Sequence, residues 1–324
     1  MAGPTPLVVI TRRLPGPTER EMSSRFNVRL NADDRPMSAA ALKSAVETAD
    51  ILVPTVTDRL SRDVIEAAGQ RLKLIANFGV GYNHIDVAAA AARGIAITNT
   101  PGVLTDATAD IAMTLMLAVT RRAFEGAKLI ETGGFTGWCP TWMMGVGLRG
   151  RKLGIVGMGR IGEAVARRSC GFGLEIHYHN RTRVLPAVEQ ELSATYWPEL
   201  DAMLPQMDIV SINCPYNPNT RHLFSAERLA RIKPSAFLIN TARGEIVDEA
   251  ALADALASGR LAGAGLDVFE HEPKVEAKLL TLKNVVLLPH LGSSTIEART
   301  GMGHKVIANI AAFIAGEPLP DRVA

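Results

Sequence analysis

The sequence predicts an α/β fold built from two doubly wound parallel sheets. Short β-rich runs alternate with helical stretches over the first hundred residues, and the same alternation begins again at Lys152. The length agrees, because 324 residues of which 47% are apolar suit two domains better than one. The composition also excludes a disordered chain.

The first series predicts five strands with helices between them. Ser38 is placed to cap a helix over residues 37–49, and Ser61 is placed to cap one over residues 58–68. The predicted strands are residues 7–11, 26–30, 50–54, 72–78 and 94–99.

A long buried helix is predicted over residues 105–130, where the chain is apolar, favours helix and has no glycine before Gly126. We expect this helix to bridge the two domains. Six predicted strands follow it and match a doubly wound nucleotide-binding sheet. These strands are residues 152–157, 174–180, 208–213, 236–241, 262–268 and 284–289.

The last predicted helix, residues 295–315, follows the second sheet and is too amphipathic to stand alone. We therefore expect it to return to the first domain, which makes that domain discontinuous. The expected division is residues 1–100 plus 291–324 for one domain and residues 101–290, including the bridging helix, for the other.

Charge and hydrophobicity exclude several classes of protein. The 35 basic and 33 acidic side chains leave a formal net charge of +2, so no overall field attracts the chain to nucleic acid or to a membrane. The apolar runs near the N-terminus and at residues 111–119 are too short for a signal peptide or a membrane span. We expect a cytoplasmic protein with reduced thiols, because Cys139, Cys170 and Cys214 suit neither a disulfide framework nor a zinc site.

The sequence GMGRIG at residues 157–162 follows a predicted strand and opens a predicted helix, as a dinucleotide-binding loop does. Gly157 permits the tight turn, Gly159 lets a pyrophosphate approach the backbone, and Gly162 lets helix and strand pack closely. The N-terminus of the helix, where Arg160 and Ile161 stand, favours the phosphates. The loop therefore predicts a bound nucleotide.

No acidic residue closes the second strand of this sheet, where a carboxylate commonly binds the adenine ribose. The residues that stand there instead are Asn180, Arg181, Thr182 and Arg183. A guanidinium donates paired, charge-assisted hydrogen bonds that suit a 2′-phosphate. The turn therefore favours NADPH over NADH, with a solvated basic turn as the alternative.

Three further segments follow predicted strands, where open α/β sheets bind ligands, and they contain Arg243, Glu272 and His290. An arginine can hold a substrate carboxylate and polarise a ketone. A histidine can donate a proton, and a glutamate can orient the histidine and favour its protonated form. Taken singly, each residue has a structural alternative: a helix cap, a loop carboxylate and a satisfied core histidine. Together they predict hydride transfer.

Five motifs, in this order, resemble those of the D-isomer-specific 2-hydroxyacid dehydrogenases. They are FGVGYNHID at 78–86, GMGRIG at 157–162, TARGEIVDEAAL at 241–252, GLDVFEHEP at 265–273 and LPHLGSST at 288–295. Within that family the chain is most similar to the glyoxylate and hydroxypyruvate reductases, over residues 50–318. The resemblance implies a Rossmann cofactor domain inserted into a flavodoxin-like substrate domain.

The resemblance also implies roles in catalysis. It assigns Arg243 to binding and polarising the 2-oxo acid, His290 to acid/base chemistry and Glu272 to the support of that histidine. The backbone N–H groups of Val80 and Gly81 are implied to take the substrate carboxylate.

For the cofactor, the resemblance implies that Asp267 meets the nicotinamide carboxamide. Further cofactor contacts are implied for Thr108, Pro215, Thr220, Thr241, Ala242, His290 and Gly292. Asn83 stands where many members have an acidic residue, so no role is carried over to that side chain.

Residues 134–145 form the most aromatic segment of a chain with only 5% aromatic residues, which favours an interface. In the family this segment packs across a two-fold dimer, and in glyoxylate reductases a tryptophan here reaches the partner's active site. The resemblance implies a homodimer in which Trp138 or Trp142 trims the substrate pocket. An internal loop with core tryptophans is the alternative.

The expected function is reduction of glyoxylate to glycolate and of hydroxypyruvate to D-glycerate, with NADPH preferred and NADH possible. Lactate-type and phosphoglycerate-type dehydrogenases remain alternatives, whereas formate dehydrogenases have glutamine at the position of Glu272. A nucleotide-sensing corepressor scaffold is the alternative outside enzymes. We expect no metal, because His177 and His179 lack a third ligand nearby and packing explains them better.

Overall fold

The computed structural model describes residues 5–323 and divides into two compact units. One unit is the chain up to Leu104 together with the chain from Ser294 onward, and the other is Thr105–Ser293. The strands of the described residues are β1 (Leu7–Ile10), β2 (Asn27–Arg29), β3 (Ile51–Val53), β4 (Leu74–Ala76), β5 (Ala96–Thr98), β6 (Lys152–Val156), β7 (Glu175–His179), β8 (Thr195–Tyr196), β9 (Ile209–Ile212), β10 (Phe237–Asn240), β11 (Gly263–Leu266) and β12 (Val285–Leu287). The α-helices are α1 (Gly16–Arg25), α2 (Ala39–Thr48), α3 (Arg62–Glu66), α4 (Val87–Ala92), α5 (Thr105–Thr120), α6 (Ala123–Glu131), α7 (Arg160–Gly171), α8 (Pro186–Leu192), α9 (Leu200–Met203), α10 (Ala226–Leu229), α11 (Glu249–Ala257) and α12 (Ile296–Ala315).

The first unit contains one parallel sheet in the order β2-β1-β3-β4-β5, which is the flavodoxin-like order. Its strands are short apolar runs that helices cover, as expected for a parallel sheet. Fully buried strand residues include Val9, Leu52, Ile75 and Ile97. The last helix, α12, packs against α1 and β4 of this unit, so the unit is built from both ends of the chain.

The two serines expected to cap helices behave differently. Ser38 is the N-cap of α2, and its Oγ accepts a hydrogen bond from the backbone N of Ala41 at 3.2 Å, as predicted. Ser61 stands at the N-cap position of α3, but its side chain makes no capping hydrogen bond. The predicted start of this helix at residue 58 is wrong, because Asp58 is a buried side chain that lies before the helix.

The second unit contains a parallel sheet in the order β12-β11-β10-β9-β6-β7-β8, which is the Rossmann order with one added strand. Its strand order reverses between β6 and β9, where this topology binds nucleotides at the carboxyl ends of the strands. The edge strand β8 was not predicted, because two residues carry no hydrophobic run.

The single helix predicted over residues 105–130 is wrong. The chain forms α5 and α6 with a break at Arg122, whose φ of +55° is left-handed and cannot continue an α-helix. The guanidinium of Arg122 donates two hydrogen bonds of 2.8 Å to Glu125, which ties the break to the first turn of α6. Helix α5 is largely buried and packs against α7, β11 and β10, whereas α6 has no buried residue.

Candidate functional site

The glycine loop joins β6 to α7. Of its three glycines, only the second has room for a side-chain Cβ. Gly157 has a φ of +99°, and a Cβ on it would lie 2.5 Å from the backbone N of Cys214. A Cβ on Gly162 would lie 2.4 Å from the carbonyl oxygen of Gly157. Gly159 is the N-cap of α7, and a Cβ there would meet no described atom within 4 Å. This cradle fits the pyrophosphate of a dinucleotide against the N–H groups of a helix that begins with Arg160 and Ile161.

Asn180, expected near the adenine ribose, pairs with the glycine loop. Its Oδ1 accepts a hydrogen bond from the backbone N of Met158 at 2.6 Å, and its Nδ2 donates to the carbonyl of the same residue at 3.2 Å. The hydroxyl of Tyr196 donates to the carbonyl of Asn180 at 3.2 Å. Asn180 therefore holds the second residue of the loop in place, a role that the sequence did not reveal.

The two arginines after β7 differ in their surroundings. Arg183 donates two hydrogen bonds of 2.7 Å to Glu189, whose carboxylate also accepts one from the hydroxyl of Tyr178. The Arg183 hydrogen bond, followed by that of Tyr178, lowers the pKa of Glu189 to about 2. Arg181 and Thr182 are exposed, and Arg181 forms no ion pair with any residue in 5–323. Of the two guanidiniums of this turn, that of Arg183 is paired and that of Arg181 is exposed.

The loop after β9 and the end of β10 bring further predicted cofactor residues to the same edge of the sheet. The hydroxyl of Thr220 donates to the carbonyl of Pro215 at 2.9 Å, which closes the loop. Thr241 is buried, and its Oγ1 has no hydrogen-bond partner among the described residues. A bound ligand or an ordered water can satisfy such a hydroxyl. Its neighbour Ala242 donates its N–H to the side chain of Asn240 at 3.0 Å, which shapes the turn that follows.

A histidine and a glutamate predicted to act together are in contact. Nδ1 of His290 lies 2.9 Å from Oε2 of Glu272, and the other oxygen of Glu272 accepts the backbone N–H of Phe269 at 3.1 Å. A carboxylate only accepts hydrogen bonds, so Nδ1 of His290 donates in this contact. The second ring nitrogen, Nε2, takes no part in the contact with Glu272. Burial alone raises the pKa of Glu272, but the hydrogen bond and charge of His290, with smaller contributions from Phe269 and Arg243, hold that pKa below its ordinary value.

Arg243 lies in the turn after β10, and its charge acts on the same carboxylate. Its Nη1 donates to the carbonyl of Ala242 at 2.7 Å, and Asn240 donates its side-chain N–H to the carbonyl of Arg243 at 2.9 Å. Burial lowers the pKa of Arg243, while the charges of Glu245 and Glu272 oppose that shift. A guanidinium remains protonated at neutral pH even so. The turn therefore holds a fixed cation beside the histidine–glutamate pair.

The backbone of His290 is strained, and Asp267 holds it. His290 has a φ of +56°, and its N–H donates to the carbonyl of Asp267 at 2.9 Å. The two carboxylate oxygens of Asp267 accept the N–H groups of Leu291 at 2.6 Å and of Gly292 at 2.8 Å. Thr108 donates its hydroxyl to the carbonyl of Gly292 at 3.0 Å. Asp267 and Thr108, expected as cofactor contacts, thus also hold the loop that carries the histidine, and no sequence motif signalled that role.

In the other unit, the carbonyl groups of the loop after β4 accept hydrogen bonds from buried asparagine side chains. Asn77, fully buried, donates to the carbonyls of Gly79 and Gly81 at 3.0 Å each, and Asn99 donates to that of Val80 at 2.9 Å. Within residues 5–323 the N–H groups of Val80 and Gly81 donate to no protein acceptor. His84 contacts Asn77 Oδ1 at 3.0 Å, which explains that histidine as part of the loop. Two backbone donors are left for an anion.

The aromatic segment is exposed. Trp138 is 79% exposed, and Trp142 is 38% exposed and stacks on Phe135 with ring centroids 5.5 Å apart. Met144 and Ile130, on the same stretch of chain, are 66% and 63% exposed. The alternative of core tryptophans is therefore wrong, because both rings are accessible in the single chain.

The histidines of β7 are engaged in packing. Nε1 of Trp197 donates to Nδ1 of His177 at 3.1 Å, and Nδ1 of His179 lies 2.9 Å from the carbonyl oxygen of the same tryptophan. Over residues 5–323 there is no group of three or more histidine, cysteine or acidic side chains placed to bind a metal ion. The same part of the chain contains no helix with the length and hydrophobicity that crossing a membrane requires.

Comparison with known proteins matches residues 113–292 to the family model described as D-isomer specific 2-hydroxyacid dehydrogenase, NAD binding domain. A glyoxylate reductase of Thermococcus litoralis is 45% identical over 322 residues, which cover 98% of this chain and 96% of that protein.

Solved structures agree with the match over the whole chain. A crystal structure of a glyoxylate reductase from Paecilomyes thermophila is 35% identical with a TM-score of 0.87, and the match covers 99% of this chain and 98% of that one. An NADPH-dependent glyoxylate/hydroxypyruvate reductase from Sinorhizobium meliloti, solved with NADP and malonate, is also 35% identical with a TM-score of 0.87, and the match covers 99% of this chain and 97% of that one.

Proposed function

The chain belongs to the D-isomer specific 2-hydroxyacid dehydrogenases and is an NAD(P)-dependent oxidoreductase of 2-oxo acids, and on that premise we propose that it reduces glyoxylate to glycolate and hydroxypyruvate to D-glycerate with NADPH preferred. The observation that carries the proposal is the 2.9 Å contact between His290 Nδ1 and Glu272 Oε2. It provides a proton donor at Nε2 of the same ring, oriented by a carboxylate that the site keeps ionised.

In the proposed reaction the protein binds the 2-oxo acid and supplies the proton. Arg243 pairs with the substrate and draws electron density toward the 2-oxo oxygen, because its planar guanidinium can engage two oxygens at once. The N–H groups of Val80 and Gly81 are assigned to the carboxylate from the resemblance. When bound, the nicotinamide cofactor supplies the hydride. His290 gives its proton to the carbonyl oxygen as the carbonyl carbon is reduced, and the product is the 2-hydroxy acid.

The residues that would hold the cofactor lie along the carboxyl edge of the second sheet. The glycine loop takes the pyrophosphate, and the residues after β9 to β12 line the remainder, including Thr241 with its unpartnered hydroxyl. Asp267, Ala242 and Gly292 belong to this group. Preference for NADPH is supported by Arg181, exposed after β7 where no carboxylate stands, and by the NADP bound in the Sinorhizobium meliloti relative.

We also propose a homodimer through the exposed aromatic segment. Trp138 and Trp142 present apolar surface to solvent, together with neighbours that include Phe135 and Met144. Several exposed aromatic and apolar side chains in one short segment are typical of a protein interface. In the dimer one of the tryptophans narrows the partner's substrate pocket toward small oxo acids. The cytoplasmic location remains a prediction from the sequence.

The test is a set of initial rates with glyoxylate, hydroxypyruvate, pyruvate and 3-phosphohydroxypyruvate, each with NADPH and with NADH. We expect the highest kcat/KM for glyoxylate or hydroxypyruvate with NADPH. Highest efficiency with pyruvate or with the phosphorylated substrate would assign the chain to a lactate-type or phosphoglycerate-type enzyme. Nucleotide binding without turnover of any of the four acids would favour a scaffold.

A further inference from the structure

A second histidine–glutamate pair lies beside the proposed acid–base pair. Nε2 of His222 is 2.7 Å from Oε1 of Glu270, and Nη2 of Arg221 is 3.9 Å from the same oxygen. The carboxylate of Glu270 is only 12% exposed. Glu270 stands two residues before Glu272 in the loop after β11, whereas His222 belongs to the loop after β9. The pair therefore joins two loops that extend from the same edge of the sheet.

The loop after β11 is anchored at its backbone by α11. Glu249, the buried first residue of that helix, accepts the N–H of Glu270 at its Oε2 and the N–H of Glu276 at its Oε1, both at 2.7 Å. The carboxylate of Glu272 is held by the N–H of Phe269, from the same loop, and by His290. The side chain of Glu270 is thus the link from this loop to the loop after β9.

His222 is itself held in a sparsely populated backbone conformation. Its φ is +46°, in the left-handed region that a residue with a side chain adopts only when its surroundings require it. Its N–H donates to the carbonyl of Glu245 at 2.9 Å, and the N–H of Phe224 donates to that of Ile246 at 3.0 Å. These acceptors lie two and three residues after Arg243 in the chain. The loops after β9, β10 and β11 therefore meet at His222.

We propose that His222 and Glu270 are positioning residues for the reaction. Their hydrogen bond fixes the loop that carries Glu272, so that this carboxylate remains against Nδ1 of His290. The inference rests on the proposed function, because it concerns the same proton donor. Loss of one charge-assisted hydrogen bond lets the carboxylate sample other orientations, and we expect kcat to fall about three- to tenfold. The KM of the oxo acid changes less, because Arg243 is retained.

The first test compares three variants with a matched control. His222→Ala and Glu270→Ala should both lower kcat, whereas Glu270→Gln, which keeps an acceptor for Nε2–H, should remain within about twofold of wild type. His304→Ala is the control, because His304 is an exposed histidine of the other unit, 3.9 Å from Glu21. It should leave kcat unchanged. Dissociation constants for NADPH, measured by fluorescence, should agree across all four variants.

The deciding experiment is a double-mutant cycle with Glu272→Gln. If His222 acts through Glu272, adding His222→Ala to Glu272→Gln should change kcat by less than about twofold. An equal loss in both backgrounds would overturn the proposal, since it would show a general structural effect. Should His222→Ala fail to fold, Glu270→Ala takes its place in the cycle. A wild-type protein without turnover contradicts the proposed function, whereas an active one with unchanged kcat in both alanine variants contradicts only this inference.

Discussion

Arg183 and Glu189 form a two-point ion pair, with Nε and Nη2 of the arginine each 2.7 Å from one carboxylate oxygen. The same arginine lies over the ring of Tyr196, 5.6 Å from its centroid. Two cations follow β7 in the sequence, but this pair neutralises one of them. The selection of NADPH over NADH is therefore expected to depend mainly on Arg181.

The first prediction concerns cofactor preference. Arg181→Ala should raise the KM for NADPH about tenfold and leave that for NADH nearly unchanged, because one charge-assisted hydrogen bond contributes about 1.5 kcal/mol at a partly exposed site. Arg183→Ala should have a smaller effect, since its guanidinium is already paired. Asn180→Asp combined with Arg181→Ala should reverse much of a preference that we expect to be about ten- to a thousandfold. Equal kcat/KM of the wild type with both cofactors contradicts this assignment.

The second prediction concerns acid stability. The pKa of Glu189 is about 2 in the folded chain, below its ordinary 4.5, so the pair stabilises the fold fully above pH 4.5 and loses that contribution as the pH falls toward 2. Glu189→Gln should unfold at a lower temperature than wild type at pH 7, and the difference should narrow below pH 4.5. Thermal unfolding followed by circular dichroism from pH 7 to pH 3 measures it. If the difference in unfolding temperature stayed constant over this pH range, ionisation of Glu189 would not be its cause.

The third prediction concerns the proton donor. His290→Ala should lower kcat by about 10²- to 10⁴-fold while cofactor binding persists, because proton delivery contributes that range. Glu272→Gln should also lower kcat, because an amide replaces the charge-assisted hydrogen bond that orients the imidazole with a weaker neutral one. Near-normal kcat in His290→Ala would show that another group delivers the proton.

The fourth prediction is that Arg243 tolerates no replacement by lysine. A single ammonium cannot engage a carboxylate and a 2-oxo oxygen together in one plane, so Arg243→Lys should raise KM and lower kcat at once. Steady-state kinetics with glyoxylate measures both constants. A change in KM alone would limit Arg243 to substrate binding.

Much of the fold could be predicted because short apolar runs alternate with helical stretches along the sequence. Runs of β-branched residues marked the strands of both sheets, and the parallel arrangement placed the ends of β10, β11 and β12 at one edge. That edge brings Glu272 and His290 into contact although eighteen positions separate them in the chain.

The remaining features depend on contacts between distant residues. No local pattern reports that Asn180 pairs with Met158, 22 positions away, or that His222 meets Glu270, 48 positions away. The break at Arg122 was missed for a related reason, because the residues around it favour helix and only the tight ion pair with Glu125 and the left-handed backbone reveal it.

The last prediction concerns the exposed aromatic segment. Trp138 exposes 79% of its surface to water, which is unfavourable for an apolar ring. Burial of such a ring in an interface contributes strongly to the free energy of association. Light scattering at micromolar concentration should therefore give twice the chain mass of 34.7 kDa, and Trp138→Ala should weaken the dimer at least tenfold. Phe172→Ala is the matched control, because that ring is 44% exposed in the same unit but lies at the end of α7. It should leave the mass unchanged.

If Trp142 is the ring that narrows the substrate pocket, Trp142→Ala should raise kcat/KM for larger oxo acids relative to glyoxylate. A monomeric wild type with full activity would contradict both the dimer and that contribution to specificity.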